Sequence, residues 1–486
     1  MLRLIIKYEA GLMIKHKIFA VILAAGRGTR MLSDKPKVLH QVAGRPLISH
    51  VLDLVAGLMP ERTIVVVGSS MDAISSVVAP HSTVVQESPR GTADAIKAAR
   101  DALATFDEGT VLIIFGDTPL VQTKTLNQMI AARQNGDALV ILGFSPEDPT
   151  GYGRLLLDTD GSLAAIVEDV DLEEAQRELT LCNSGVMAVD AAHLMALVDA
   201  TSAKNLKGEF YLTDIVGIAR AKGLACAVVE APAAELIGVD SRTDLASVEA
   251  YWQRLRRTRA MEEGTTLVAP ETVWFSYDTE LGRDVVIGPN VEFGPDVIIG
   301  DRVEVKSFCH IEGSRIESDT VIGPFARLRP GAKIGAGSRI GNFVEVKNAE
   351  LGEGVRAGHL AYLGDAVIGS NVNIGAGTIT CNYDGVDKHS TIIGAGAFIG
   401  TNASLVAPVT IGNGAFIAAG SVITDDVSDD ALAIARGRQV EMPRRAALMQ
   451  EEEATAVGAM VSQESVLQPT KTATSNPTRS KSKKIG

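Results

Sequence analysis

The sequence predicts an α/β doubly wound domain followed by a parallel β-helix built from hexapeptide repeats. Two patterns carry that prediction. Toward the C-terminus, Ile393, Ile399, Leu405, Ile411, Ile417 and Ile423 fall six apart without a break. The same beat runs from Phe275 to Ile311 and from Ile316 to Val346. A period of six fits neither a helix nor an alternating strand, but it fits short strands that turn corners and point one residue of each repeat inward. In the first half, short β-branched runs alternate with helical stretches. That is the pattern of strands buried on both faces and joined by helical crossovers.

Composition agrees with coils. The 486 residues include 47 Gly and only 4% aromatics, with 46% apolar residues for large cores. A net charge of −13 argues against nucleic acid as a partner. Cys182, Cys226, Cys309 and Cys381 are scattered and form no CxxC pair, so neither zinc nor a disulfide scaffold is indicated and a reducing, cytoplasmic setting is expected.

In chain order, residues 1–17 read as an N-terminal extension, with residues 1–12 the product of an upstream start because Met13 precedes the first strand. The apolar run Ile18–Ala25 is too short to span a membrane and lacks a cleavage context, so neither membrane insertion nor a signal peptide is expected. Residues 18–242 form the first domain, with strands at 19–26, 62–69, 82–87 and 110–117 and a helix over Thr92–Leu103. Residues 243–263 read as a linker helix with Leu245, Val248, Trp252 and Leu255 on one side, closed by Gly264. Residues 264–440 carry the hexads. Residues 441–486 turn helix-like after Pro443 and become Ser/Thr/Lys-rich from about Ser462, a segment expected to be largely disordered.

Chemistry is concentrated at a few places. Leu23-Ala24-Ala25-Gly26-Arg27-Gly28-Thr29-Arg30 follows the first strand directly. Its glycines allow close approach of backbone amides to phosphate, and Arg30 and Lys37 add positive charge. It is neither a Rossmann GxGxxG nor a P-loop, and by itself it would be a tight strand-to-helix turn. Asp117 ends a strand, where a carboxylate can hold a hard cation or cap a helix. In the hexads the beat slips from Val346 to Leu351 and from Leu363 to Ile368, and Cys381–Ser390 interrupts it. Polar insertions in a solenoid become external loops on one face.

LAAGRGTRM with Lys35-Pro36-Lys37, Phe115-Gly116-Asp117 with Pro119-Leu120, Asp148–Arg154, Ile166–Glu168 and Asn183–Gly185 resemble the signature elements of sugar-1-phosphate nucleotidyltransferases. The resemblance spans about 18–255. It implies UTP and sugar contacts at Leu23, Ala24, Ala25, Gly26, Arg30, Lys37, Gln86, Gly91, Thr92, Gly153, Glu168, Asn183 and Asp240. It also implies Mg²⁺ on Asp117 and Asp240. Asp240 stands where that family usually has Asn.

Gly358-His359-Leu360-Ala361-Tyr362, with GNFVEVKN before it and NIGAGTITCNYDG after it, resembles the acetyltransferase half of the bifunctional N-acetylglucosamine-1-phosphate uridylyltransferase/glucosamine-1-phosphate acetyltransferase family. That match runs from about Pro270 to Arg436. It implies a left-handed coil, a homotrimer, a catalytic base at His359, and sugar-phosphate contacts at Arg329, Lys347, Tyr362 and Asn373. It further implies acetyl-CoA contacts at Ala376, Asn382, Tyr383, Thr401, Ala419 and Arg436, with Thr401 where Ser is common. Glu345 is a candidate to orient His359. Two rivals stand beside the bifunctional reading: a nucleotidyltransferase whose coils only assemble it, and a non-catalytic assembly protein.

Overall fold

The structure is a computed structural model that describes residues 16–464. The expected start-site extension and the Ser/Thr/Lys-rich end therefore lie almost wholly outside the described residues. The chain divides into one unit through Ile434 and a second from Ala435. In the second unit Arg445–Glu464 is a helix, and it runs through Ser462, where the sequence had suggested that order ends.

In the first domain, Ile18–Ala24 is the central strand. It lies parallel between Thr110–Phe115 and Arg62–Gly68, and Ser82–Gln86 extends the latter side in parallel. Alternate residues serve opposite faces: Phe19, Val21 and Leu23 pack with Ile96 and Ile215, whereas Ala20, Ile22 and Ala24 pack with Ile48, Val51 and Met129. This two-sided burial is why the strands read as unbroken apolar runs. The helix expected over Thr92–Leu103 is divided at Ala99 into Thr92–Ala98 and Arg100–Leu103.

The sheet is mixed rather than wholly parallel. Cys182–Asp190 runs antiparallel to both Thr110–Phe115 and Leu139–Phe144, and Cys226–Glu230 lies parallel at the edge beyond. A parallel return needs a long crossover, usually a helix. Between Phe144 and Cys182 the chain forms only the hairpin Arg154–Leu157/Leu163–Val167 and short 3-10 turns, so it returns antiparallel.

The linker helix spans Arg242–Glu262 and starts with a capping box in which Ser241 and Asp244 satisfy each other's backbone N–H. Leu245, Val248 and Trp252 of the expected apolar stripe pack against the core, but its last member does not. Leu255 is 41% exposed, while Gln253 and Arg257 are buried. The reason is backbone satisfaction at the start of the coils. Gln253 donates to Phe275 O at 2.7 Å and accepts from Phe275 N at 2.9 Å, and Arg257 donates to Val273 O at 3.2 Å. Nearby, Tyr277 N donates to Ala43 O at 2.9 Å and Ala43 N donates to Glu249 at 2.7 Å, tying the first domain to helix and coil.

The hexads form a parallel β-helix. Three inward columns run along it, exemplified by Ile299–Ile316–Ile334–Leu351–Ile368–Ile393–Ile411 in strict register. Its other columns pair Ile322 with Ile340 and Leu328 with Val346. Each fully buried Ile or Leu contributes roughly 1.5–3 kcal/mol. The slips in the beat shorten a coil by one residue, and strands Glu345–Leu351 and Tyr362–Ile368 turn a corner there. Among the described residues, the Cys381–Ser390 segment is the one long loop between paired coils, since Ile368 pairs with Ile393 across it.

Candidate functional site

The first site forms where Ile18–Ala24 and Thr110–Phe115 end side by side. Such crevices beyond the carboxyl ends of strands are where sheets of this class bind ligands. Gly28 turns the chain out of the sheet at φ 63°, and a Cβ there would lie 2.5 Å from Lys37 Cβ. At Gly26 a Cβ would meet nothing within 4 Å, so this backbone borders open space. A cleft of ≈ 470 Å³ results, lined by Leu23, Ala24, Ala25 and Gly26 on one side and by Gln86, Gly91 and Thr92 on another. Lys37, Asp117, Glu168 and Asp240 close it. An adjoining pocket of ≈ 230 Å³ holds Gly153 and Asn183 and shares Thr92 and Glu168 with the cleft.

Charge is concentrated at one end. Lys37 donates to Asp240 Oδ1 at 2.8 Å and pairs with Asp117, while Arg30 reaches Asp240 Oδ2 at 2.9 Å. The Lys37 and Asp117 side chains are only 12% and 13% exposed. Burial alone would lower the Lys37 pKa, but Asp117 and then Asp240 hold it above its ordinary value. Burial pushes the Asp117 carboxyl up, and Lys37 opposes this. The ionised pair is the one supported by geometry, because the same ammonium also serves Asp240. Two carboxylate oxygens thus converge on one cation-sized point, a donor set that fits a hard divalent ion once substrate oxygens complete it.

At the other end, Gln86 donates to Gly91 O at 3.1 Å and to Asp94 at 3.0 Å, leaving its side chain buried and fixed. Gly91 sits at φ 116°, and a Cβ there would lie 2.8 Å from Phe210 N. Thr92 accepts from Leu212 N at 3.0 Å, Glu168 accepts from Thr213 at 2.9 Å, and Asn183 accepts from Gly185 N at 2.9 Å. Sequence reasoning missed Lys207 and Tyr211, which line the same cleft, and did not single out Tyr152 within the Asp148–Arg154 element. No local spacing marks Lys207 and Tyr211, because they arrive on a loop from a distant segment. The Tyr211 hydroxyl is buried without a partner, and burial pushes its pKa up to about 12.

The second site lies on the coils. Arg329 pairs with Glu345 at 2.8 Å, and Glu345 stands in register with Tyr362. Glu345 is thereby engaged by Arg329. The contact at the His359 ring comes instead from Asn342, at 2.5 Å from Nδ1, so the expected Glu345 orientation of His359 is replaced. The inserted loop folds back on this face. Asn382 donates to Asp365 and reaches the Tyr362 hydroxyl at 3.5 Å. Burial works against the Asp365 carboxylate, but hydrogen bonds from Asn348 and Asn382 and the charges of Lys388 and Lys347 hold it below the usual range. Lys388, which the sequence did not single out, comes close to Lys347, and the neighbouring ammonium lowers the Lys347 pKa. His389 and the N–H groups of Val386 and Asp387 pull Asp384 down to about 2 and thereby hold the loop.

His359 belongs to a different column. Asn342 pairs with it from the preceding coil, and Ala376, Thr401 and Ala419 occupy the same turn position in the coils after it. Ala376 O accepts from Asn402 N at 2.7 Å and Thr401 O from Gly420 N at 2.8 Å, which keeps these turns stacked. Ala376, Thr401 and Ala419 thus place small side chains in the column below His359. Asn373 lies on the His359 sheet, paired with Arg356 and Phe398, rather than in the Arg329–Lys347 cluster. Tyr383 is exposed and donates to Gly385 O at 2.6 Å, and Arg436 lies in the second unit.

Comparison with known proteins agrees with this architecture. Residues 20–180 match the MobA-like NTP transferase domain, and residues 278–313, 313–348 and 390–425 match the bacterial transferase hexapeptide family of six repeats. The chain is 53% identical over 432 residues to the bifunctional protein GlmU of Paramagnetospirillum magneticum, covering 88% of this chain and 96% of that protein. It is 49% identical to the Zymomonas mobilis GlmU, covering 88% and 96%, and 48% identical to that of Agrobacterium fabrum, covering 89% and 96%. With a cleft in an NTP transferase domain and a second polar cluster on hexapeptide coils, the chain belongs to the GlmU family of bifunctional enzymes, which carry uridylyltransferase and acetyltransferase activities.

Proposed function

We propose that the coil site acetylates glucosamine-1-phosphate from acetyl-CoA and that the cleft then joins the product to UTP, giving UDP-N-acetylglucosamine and pyrophosphate. One observation carries the acetyl-transfer half. The inserted loop brings Lys388 against Lys347 on the face that also bears Arg329. A bare scaffold gains nothing from crowded cations, whereas a sugar phosphate would neutralise them.

In this reading Arg329, Lys347 and Lys388 grip the phosphate, and Tyr362 and Asn373 contact the sugar. The amine attacks the thioester carbonyl, and His359 accepts the amine proton as the C–N bond forms and the C–S bond breaks. The proton then passes to the departing thiolate. Ala376, Thr401 and Ala419 leave room for the thin pantetheine arm beneath His359. Asn382 and Tyr383 complete the acetyl-CoA contacts.

In the cleft, backbone amides of Leu23–Gly26 and the side chains of Arg30 and Lys37 receive the triphosphate. Gln86, Gly91 and Thr92 contact the base, and Gly153, Glu168 and Asn183 hold the sugar. Asp117 and Asp240 would hold a divalent ion, Mg²⁺ in this reading, which supplies charge neutralisation at the phosphates. Arg30 and Lys37 exchange their carboxylate partners for phosphate oxygens and stabilise charge on the leaving pyrophosphate. Asp240→Asn is expected to stay active with Mg²⁺. A cytoplasmic homotrimer is the form proposed for the enzyme, since stacked hexapeptide coils commonly assemble.

The test is an assay of both half-reactions on full-length variants. His359→Ala should lower acetyl transfer about 10³-fold, the usual worth of a positioned base, and leave uridylyl transfer intact. Asp117→Ala should do the reverse. Loss of both activities from either change in a folded protein contradicts the division of labour.

A further inference from the structure

We infer that Asn342 is a positioning residue for acetyl transfer: its side-chain oxygen holds the His359 imidazole with the proton on Nδ1 and the lone pair on Nε2 free. This rests on His359 being the base of the coil site.

The coil geometry dictates the pairing. Asn342 and His359 are register partners on successive coils, and Leu360 N donates to Asn342 O at 2.9 Å. Gly341 and Gly358 precede them so closely stacked that a Cβ on Gly341 would lie 2.6 Å from Gly358 C. Phe343 and Leu360 follow them in the left-handed region, at φ 58° and 48°. The two corners therefore repeat each other, and the amide oxygen meets the imidazole. Their closest atoms are Asn342 Oδ1 and His359 Nδ1, at 2.5 Å. A carboxamide oxygen only accepts, so Nδ1 must carry the hydrogen. A neutral imidazole has one N–H, which leaves Nε2 unprotonated and able to take the proton of the attacking amine. Glu345, the alternative orienting group, is engaged by Arg329 at 2.8 Å. The His359 ring is exposed, so without Asn342 it is free to turn and to adopt the opposite tautomer. The wrong tautomer presents a donor where the reaction needs an acceptor.

The experiment compares full-length Asn342→Ala, Asn342→Asp and His359→Ala. It reads kcat and KM for acetyl transfer, uridylyl transfer as an internal control, and the ¹⁵N shifts of the His359 ring, assigned by the signal lost in His359→Ala. Asn342→Ala should lower kcat about 100-fold, the cost of a misplaced reacting group, with KM and uridylyl transfer unchanged. Its ring spectrum should move from an unprotonated Nε2 toward a tautomer mixture. Asn342→Asp should recover most of kcat and keep the Nδ1–H signature, because a carboxylate also accepts. If Asn342→Ala does not fold, Asn342→Asp decides alone: retention of Nδ1–H supports the role, and an Nε2–H ring overturns it. An unchanged kcat in Asn342→Ala beside an inactive His359→Ala overturns the inference alone. An active His359→Ala overturns the assignment of the base.

Discussion

In the nucleotide cleft, Lys37 and Asp117 are almost out of water and each answers the other's charge. On the coils, Lys347 and His359 stand at the surface, His359 steadied by Asn342 from the coil before it and Lys347 crowded by Lys388 from the inserted loop. The cleft obtains field strength from burial, since charges interact more strongly where water is excluded. It must therefore gather Lys37, Asp117 and Asp240 from distant segments, and the sheet does this by ending its strands together. The coils obtain position from register instead. Each residue inherits its place from the turn before it, and the interrupting loop supplies what register cannot.

The largest effect that tests this contrast belongs to the cleft. Lys37→Ala leaves Asp117 buried with no counter-charge, and breaking a buried pair in this way costs about 3–5 kcal/mol. Denaturant unfolding of the nucleotide domain should show that loss, while acetyl transfer persists. Adding Asp117→Ala to the same chain should return most of the stability, because the uncompensated charge is gone. A loss below 1 kcal/mol in Lys37→Ala, about the value of a solvated pair, would mean that the cleft is no more sheltered than the coils.

How legible these two regions were in the sequence follows from the same contrast. The coils were legible almost residue by residue, because one inward apolar position per hexad is a local rule; Ile393 through Ile423 obey it without exception. The interruption at Cys381–Ser390 was equally plain as a loop. What stayed hidden was polar pairing between elements. Nothing near Gln253 or Arg257 announces that they satisfy the backbone of Phe275 and Val273. Likewise Arg30, Lys37 and Asp240 were each expected at one site by resemblance, but their mutual pairing across some two hundred residues is a property of the fold. The antiparallel strand Cys182–Asp190 was missed for a related reason: its apolar run looks like any other buried strand, and only the lack of a crossover helix before it sets its direction.

A middle-sized effect tests whether register really does for the coils what burial does for the cleft. Thr380 occupies an inward column otherwise filled by apolar residues such as Val346, Leu363, Leu405 and Ile423. Its hydroxyl donates to Gly364 O at 2.9 Å and accepts from Gly364 N at 2.8 Å. That tie fixes the backbone next to Asp365, which Asn348 and Asn382 in turn hold. Thr380→Val keeps the shape but strands the Gly364 N–H, at a cost of about 1–3 kcal/mol. Thermal unfolding should register the loss, and KM for the sugar phosphate should rise while uridylyl transfer stays constant. An unchanged KM would show that the loop, not the register, sets the geometry of the coil site.

The smallest effect isolates the loop itself. Lys347 titrates below the ordinary lysine value because the Lys388 ammonium crowds it, with Arg329 adding to the repulsion. Its positive charge is complete below that lowered pKa and is lost as pH rises through it, so the grip on a sugar phosphate should weaken at a lower alkaline pH than an isolated lysine would allow. Lys388→Ala removes the cause. At neutral pH it should raise KM for glucosamine-1-phosphate by only about 3–10-fold, in keeping with the modest worth of one exposed charge. The alkaline rise in KM should at the same time move to higher pH, because Lys347 keeps its proton longer. These opposite signs at neutral and alkaline pH distinguish electrostatic coupling from simple damage to the loop, which would raise KM equally at every pH. The cleft offers no such lever: its Lys37 is held above the ordinary value by Asp117 and Asp240, so the uridylyl half should show no matching shift over the same range.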